Sequence, residues 1–244
     1  MCPLLGLTKW RFCGQIRRSP PIFGYLIDGR FFPNQVILSG FGNSFMARYL
    51  GPKVKLSRRV GVPIADIPKH TAKRQLTPPG AHGFRGRRLK DYGIRLVEKQ
   101  KLRYHYNILE KQFRRYIAEA SRMRGNTGEV LLQLLEQRLD NVLRRAGFVR
   151  TIWAARQMVV HGHILVNGKK VDRPSFAVKA GDVISLRPKA HNLARQNMET
   201  LAGHIVSEWI NVNPAELTCT VVTQPTPDQI PFDVNTNLIV EFYR

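Results

Sequence analysis

The stretch from Arg138 to Lys170 gathers Arg138, Arg150, Thr151, Arg156, Gln157, His161 and Lys169, a set of donors suited to holding phosphate oxygens. A guanidinium presents a planar fork of N–H groups that matches two oxygens at once. Thr151 supplies an N-cap oxygen for a helix beginning at Ile152, and a helix N-terminus adds backbone N–H groups and a positive dipole end. Other chemistries fit less well. His161-Gly162-His163 invites a metal, but no Cys or carboxylate is spaced to complete a tetrahedral set, and His161 is equally a plain helix terminator. Asp140 is explained as a local partner of Arg144, one helical turn on. No triad, P-loop or paired-acid arrangement stands out, so the residues point to binding.

The elements that must position these donors are readable around them. Leu131, Leu132, Leu135, Leu139, Val142 and Leu143 recur three and four apart, which predicts one continuous apolar helix face. Arg138, Asn141 and Arg145 fall on its other side. The helix should stop at Ala146-Gly147, where Gly takes the left-handed cap. A second helix, Ile152 to Val160, follows and ends at His161-Gly162. The period then changes to extended: His163 to Val166, Asn167-Gly168 and Lys169 to Val171 predict a hairpin with a type I′ turn.

The charge supports a polyanionic partner. The 244 residues carry 39 Lys and Arg against 17 Asp and Glu, a net charge of +22. Residues 46–138 hold 22 basic and seven acidic residues, whereas residues 205–244 hold one and five. A solubilising surface would be more evenly mixed, so the concentration in mid-chain points to a nucleic-acid footprint. The scattered cysteines, Cys2, Cys13 and Cys219, have neither metal nor disulfide spacing and fit a reducing compartment. No apolar run approaches the ~20 residues needed to span a bilayer.

Taken in order, residues 1–45 are rich in Gly, Pro and aromatics without a sustained period, and are expected to be disordered or untranslated, with Met46 as the usual start. Residues 46–93 are dense in Arg, Lys, Gly and Pro, with Arg48, Lys53, Lys55, Arg58, Arg59, Arg85, Arg87 and Arg88 as candidate phosphate ligands. A solvated basic tail is the plain alternative there; anchors such as Tyr49, Leu56 and Leu89 favour a segment that orders on RNA. Ile94 to Arg124 predicts two helices broken near Asn107, carrying Lys99, Arg103, Arg114 and Arg115, with Phe113, Ile117 and Ala120 inward and a Glu110–Arg114 pair. Tyr104, His105, Tyr106 and Tyr116 are expected in the core rather than stacked on bases. Gly125 to Gly128 is expected as a linker, Val183–Leu186, Leu217–Val222 and Leu238–Phe242 as strands, and Ala190–Trp209 as a helix. With the hairpin, those three strands make a sheet of roughly five.

The segments "RLDNVLRRAGF" and "ARQMVVHGHILVNGKKVDRPS" are similar to the RNA-binding domain of the S-four family of ribosomal small-subunit proteins. "MARYLGPKVKLSRRVG", "PPGAHGFRGRRLKDYGIRLVEKQKLRYHY", "LEKQFRRYIAEASRMRGNTGE" and the closing "NLIVEFYR" resemble the rest of the bacterial-type family in the same order, from Met46 to Arg244. The resemblance implies an α+β architecture: a basic all-helical domain over 46–128, then an S-four-type domain over 129–200 with helices on a mostly antiparallel sheet. Residues 201–244 would complete that sheet. It implies a non-enzymatic structural protein of the small subunit in the cytoplasm, bound to the 5′ region of the small-subunit rRNA, nucleating assembly of the body and influencing accuracy. Neighbouring proteins, notably ribosomal protein S-five, and mRNA where it enters the subunit are the implied partners. No cofactor is expected. Some relatives carry a cysteine cluster for zinc, but Val54 stands within Lys53-Val54-Lys55 and no Cys occurs from Met46 through Lys73, so no zinc is expected either. Two other classes share the RNA-binding domain: free-standing ribosome-associated factors, which lack the basic helical domain, and pseudouridine synthases, whose catalytic aspartate lies in an Arg-Leu-Asp like Arg138-Leu139-Asp140.

Overall fold

The computed structural model describes residues 49, 51–65, 69, 76–81, 83, 88–201, 203 and 205–244, all within the unit Ala47–Arg244. Residues 1–45, with the expectation attached to them, lie outside the described residues, as do Arg48, Arg85 and Arg87.

Helices lead. After α1 (Lys53–Val60) come α2 (Asp91–His105) and α3 (Glu110–Ala120), joined across Asn107, which takes the left-handed conformation expected of it at φ 50°. α4 (Thr127–Glu136) follows at once. The expected linker is therefore the entrance to a helix: Asn126 Oδ1 accepts the Gly128 N–H and caps it. Leu102, Tyr106, Phe113, Leu131 and Leu135 are fully withdrawn from water and form the core of this helical layer.

The expected single helix through Leu143 is two. α4 ends at Glu136 and α5 (Leu139–Arg145) restarts three residues on, with Arg138 extended as its N-cap. The break is held by backbone pairing to a distant loop. Leu139 N–H donates to Phe176 O, Asp140 N–H to Pro174 O and Val178 N–H to Gln137 O, at 2.9–3.2 Å. The apolar repeat survives the break because both helices bury it, Leu131 and Leu135 in the helical layer and Leu139, Val142 and Leu143 in the second core. Periodicity alone does not register such a change of partner.

That second core lies between α5, α6 (Ile152–Val160), α7 (Pro188–Thr200) and a sheet. Gly147 takes φ 78° at the α5 terminus, and Thr151 Oγ1 accepts the Ala154 N–H at the start of α6, both as expected. β1 (Ile164–Val166) and β2 (Lys169–Lys170) form the hairpin, and positive φ at Asn167 and Gly168 gives its type I′ turn. β3 (Val183–Leu186), β4 (Ile210–Asn213) and β5 (Thr218–Val221) complete a fully antiparallel sheet in the order β2-β1-β3-β5-β4.

The sheet has the expected five strands but not the expected members. Leu238–Phe242 belongs to α8 (Thr236–Tyr243), which packs on α2 and α4 and buries Ile239 in the helical core. Asn235 Oδ1 caps it by accepting the Leu238 N–H. A short run of apolar residues fits either period, and tertiary packing decides. The fifth strand is β4, directly after the range expected as one long helix and not itself expected; α7 stops at Thr200, well short of Trp209.

Candidate nucleic-acid interface

Among the described residues, burial sorts the candidate cations into an inward set, an outward set and a half-buried few. Arg138 is the clearest inward member, 1% exposed. Its Nε and Nη2 donate to the two Asp140 oxygens at 3.0 and 2.7 Å, and its Nη1 donates to the Tyr116 hydroxyl at 2.7 Å. Burial alone would lower the Arg138 pKa; the Asp140 carboxylate outweighs it and raises the pKa. This corrects two expectations. Arg138, Asn141 and Arg145 do not share a solvent face, since all three are buried, and Asp140 pairs with Arg138 rather than Arg144. Arg144 reaches the ring nitrogen Nε2 of buried His105 at 3.2 Å.

Lys99 and Arg103 are inward too, gathered on Glu110. Lys99 Nζ donates to both carboxylate oxygens at 3.0 and 3.1 Å, Arg103 Nη1 donates at 2.9 Å, and the Tyr243 hydroxyl donates at 2.6 Å. Lys99 also sits 4.5 Å from the Phe242 ring centroid and 5.6 Å from that of Tyr243, so Glu110 and Lys99 together clamp α8 to α2 and α3. Partial burial works against the Glu110 charge, but the hydrogen bonds from Tyr243, Lys99 and Arg103 prevail and lower its pKa to about 2. A carboxyl depressed by folding contributes stability above its unfolded pKa and loses it as pH falls through the folded one. Melting temperature should therefore fall between pH 4.5 and 2 more steeply in the wild type than in Glu110→Gln, as measured by circular dichroism. Parallel pH profiles would refute the clamp. The expected Glu110–Arg114 pair is present only at 3.7 Å, with Arg114 largely in solvent.

Of the candidates, those that face outward are Lys53, Lys55 and Arg59 on α1, Arg88 before α2, Arg114 and Arg115 on α3, Gln157 on α6, His161 just after it, and Lys169 on β2. Lys53 Nζ lies 4.6 Å over the Trp153 ring, which brings α1 against the start of α6. Three more candidates are half-buried. Arg58 donates to Thr77 O at 2.9 Å, Arg156 donates to Asn107 O at 2.7 Å, and Arg150 stands beside Thr151. Burial lowers the Arg156 pKa, and its bond to Asn107 ties α6 to the α2–α3 corner. His161 and His163 face each other with ring centroids 6.0 Å apart. Among the described residues no group of three or more His, Cys, Asp or Glu is placed to hold a metal.

Sequence reasoning passed over Lys170 and Arg173, exposed beside Lys169. Gly162 explains their setting: at φ 70° it accepts the turn, and a Cβ there would meet Lys170 Cε at 2.3 Å, so the hairpin lies directly on the helix end. The spacing of Lys169-Lys170 carried that signal. Tyr104, His105 and Tyr106 are buried as expected, His105 stacked 3.8 Å from the Phe232 centroid and held neutral first by burial and then by Arg144.

Two short helices feeding a tight basic hairpin, preceded by a helical layer with exposed cations, are the features of a protein that binds polyanions. The comparisons name the family. The ribosomal protein S4/S9 N-terminal domain matches residues 48–136, and the S4 domain matches residues 137–184. The two matches meet at the break between α4 and α5. The small ribosomal subunit protein uS4 of Persephonella marina is 50% identical over 204 residues, covering 81% of this chain and 99% of that protein. The proteins of the same name from Hahella chejuensis and Roseiflexus castenholzii are 50% and 46% identical over the same shares. The chain belongs to the ribosomal protein S4 family.

Proposed function

We propose that this protein is a structural, non-enzymatic constituent of the small ribosomal subunit in the cytoplasm, and that it binds the small-subunit rRNA directly. The observation that carries the reading is the sorting of its arginines and lysines. One set is locked onto buried or half-buried carboxylates, and the other is exposed on α1, α3 and β2 with phosphate as its natural counterion. The family membership supports early binding to the 5′ region of the rRNA, nucleation of the body, contacts with ribosomal protein S-five and with entering mRNA, and an influence on accuracy. Residues 46–128 and 129–200 act as its two RNA-binding parts. The exposed candidates carry the phosphate contacts, while Arg138, Lys99 and Arg103 position elements. Asp140, wholly buried and held at both oxygens by Arg138, is a structural carboxylate rather than the aspartate of a pseudouridine synthase.

Log affinity for a small-subunit rRNA fragment should fall linearly with log salt, each neutralised phosphate contributing a slope of about −0.7 to −0.9. With cations on three elements, a slope steeper than about −3 is expected by filter binding. A shallower slope would remove the exposed cations from the RNA. Retention on small subunits through a high-salt wash separates a constituent from a transient factor.

A further inference from the structure

Between α1 and α2 lies an open cleft of about 1040 Å³, bordered also by Leu76, Pro78, Pro79, Gly80 and Gly83. A cleft of several hundred Å³ accommodates a ligand of nucleotide size. α1 contributes Lys55, Arg58 and Arg59 to its lining; α2 and the residues before it contribute Leu89, Tyr92, Leu96 and Gln100. The two sides differ in chemistry, cationic on one and mostly apolar on the other.

Tyr92 is the unusual member. The residue is 66% exposed, yet its ring is not adrift, because Phe242 of α8 packs against it at 5.6 Å between centroids and 36° between planes. An aromatic ring held from one side and open to a basic cleft is a stacking platform of the kind that single-stranded nucleic acid uses. Arg58 spans the cleft wall rather than its mouth. By donating to Thr77 O and Pro78 O it fixes α1 against the 76–80 segment, so this side of the cleft is held in place. Lys55 and Arg59, both exposed, remain at the cationic side.

We propose that this cleft takes one unpaired nucleotide of the rRNA, its base stacked on Tyr92 beside Leu89 and its phosphate on Lys55 and Arg59. The inference rests on the rRNA-binding reading above and adds a subsite to it. A paired base is excluded from such a cleft, because in a duplex its faces are covered by its neighbours; an unstacked base presents a free face to an aromatic ring.

The test uses the full chain and a small-subunit rRNA transcript, irradiated at 254 nm and digested for mass spectrometry. A nucleotide adduct on Tyr92 is expected. Tyr92→Ala should weaken binding about 5- to 150-fold, the effect of losing one base–aromatic stack, and Tyr92→Phe should restore what was lost. The adduct is read on the wild type, so it decides even if Tyr92→Ala loosens α8 and fails to fold. Salt-dependent binding with adducts only at other residues overturns the subsite and leaves the rRNA-binding reading intact. Binding without salt dependence overturns that reading itself.

Discussion

Glu136→Ala should cost about 3–5 kcal/mol of unfolding free energy in urea titration, the loss expected when one partner of a buried ion pair is removed. Glu136 is 2% exposed and Arg145 5%. Arg145 Nε and Nη2 donate to the two carboxylate oxygens at 3.0 and 2.6 Å, and the Tyr106 hydroxyl and Asn141 amide donate to the same pair of oxygens. Burial by itself pushes the Glu136 pKa up; Arg145 more than reverses this and holds the carboxyl below its ordinary range. Burial likewise lowers the Arg145 pKa, and the same carboxylate raises it. The pair joins the end of α4 to α5, with the end of α2 supplying Tyr106, so it stitches the helical layer to the second core. Alanine leaves the guanidinium in the interior without that carboxylate and takes an acceptor from Tyr106. Glu136→Gln, which keeps an acceptor and a similar volume, should lose less. A loss under about 1 kcal/mol for the alanine variant would mean that Arg145 escapes to water, outside the range for a buried pair.

This network shows where the sequence was legible and where it was not. Local rules worked wherever one or two residues decide the backbone: Asn107 and Asn167-Gly168 at positive φ, Thr151 as an N-cap, Gly147 as a terminator. They failed where the deciding partner is distant. Arg138 lies opposite a leucine stripe in sequence, and a helical wheel sends it to solvent; in the fold its segment pairs with residues 174–178, which turns the side chain inward onto Asp140. Leu238–Phe242 alternates no better as strand than as helix, and only the surface of α2 and α4 assigns it. Charge counting has the same blind spot. It finds how many arginines there are and where they concentrate, but an arginine on a buried carboxylate and an arginine awaiting phosphate are the same letter.

The distinction has a large expected consequence. Arg59, Arg115 and Lys169 are exposed and stand on three different elements, α1, α3 and β2. Replacing all three with Ala should weaken binding to small-subunit rRNA about 10²-fold or more at 0.1 M salt, since each lost phosphate contact costs about 5- to 8-fold at that concentration. The slope of log affinity against log salt should become shallower by about 2–3, and the two affinities should converge as salt approaches 1 M. Melting should change little, because each side chain is a surface residue whose loss typically shifts stability by within about 0.5 kcal/mol. Arg138→Ala supplies the opposite pattern: it leaves Asp140 buried without its bidentate partner and should destabilise by about 3–5 kcal/mol. Binding by that variant should keep the wild-type salt slope under conditions where it remains folded. Filter binding across a salt series, paired with urea titration of each protein, separates the two sets. A triple variant that melts early, or an Arg138 variant that is stable but shallow in slope, would reverse the assignment of the two classes.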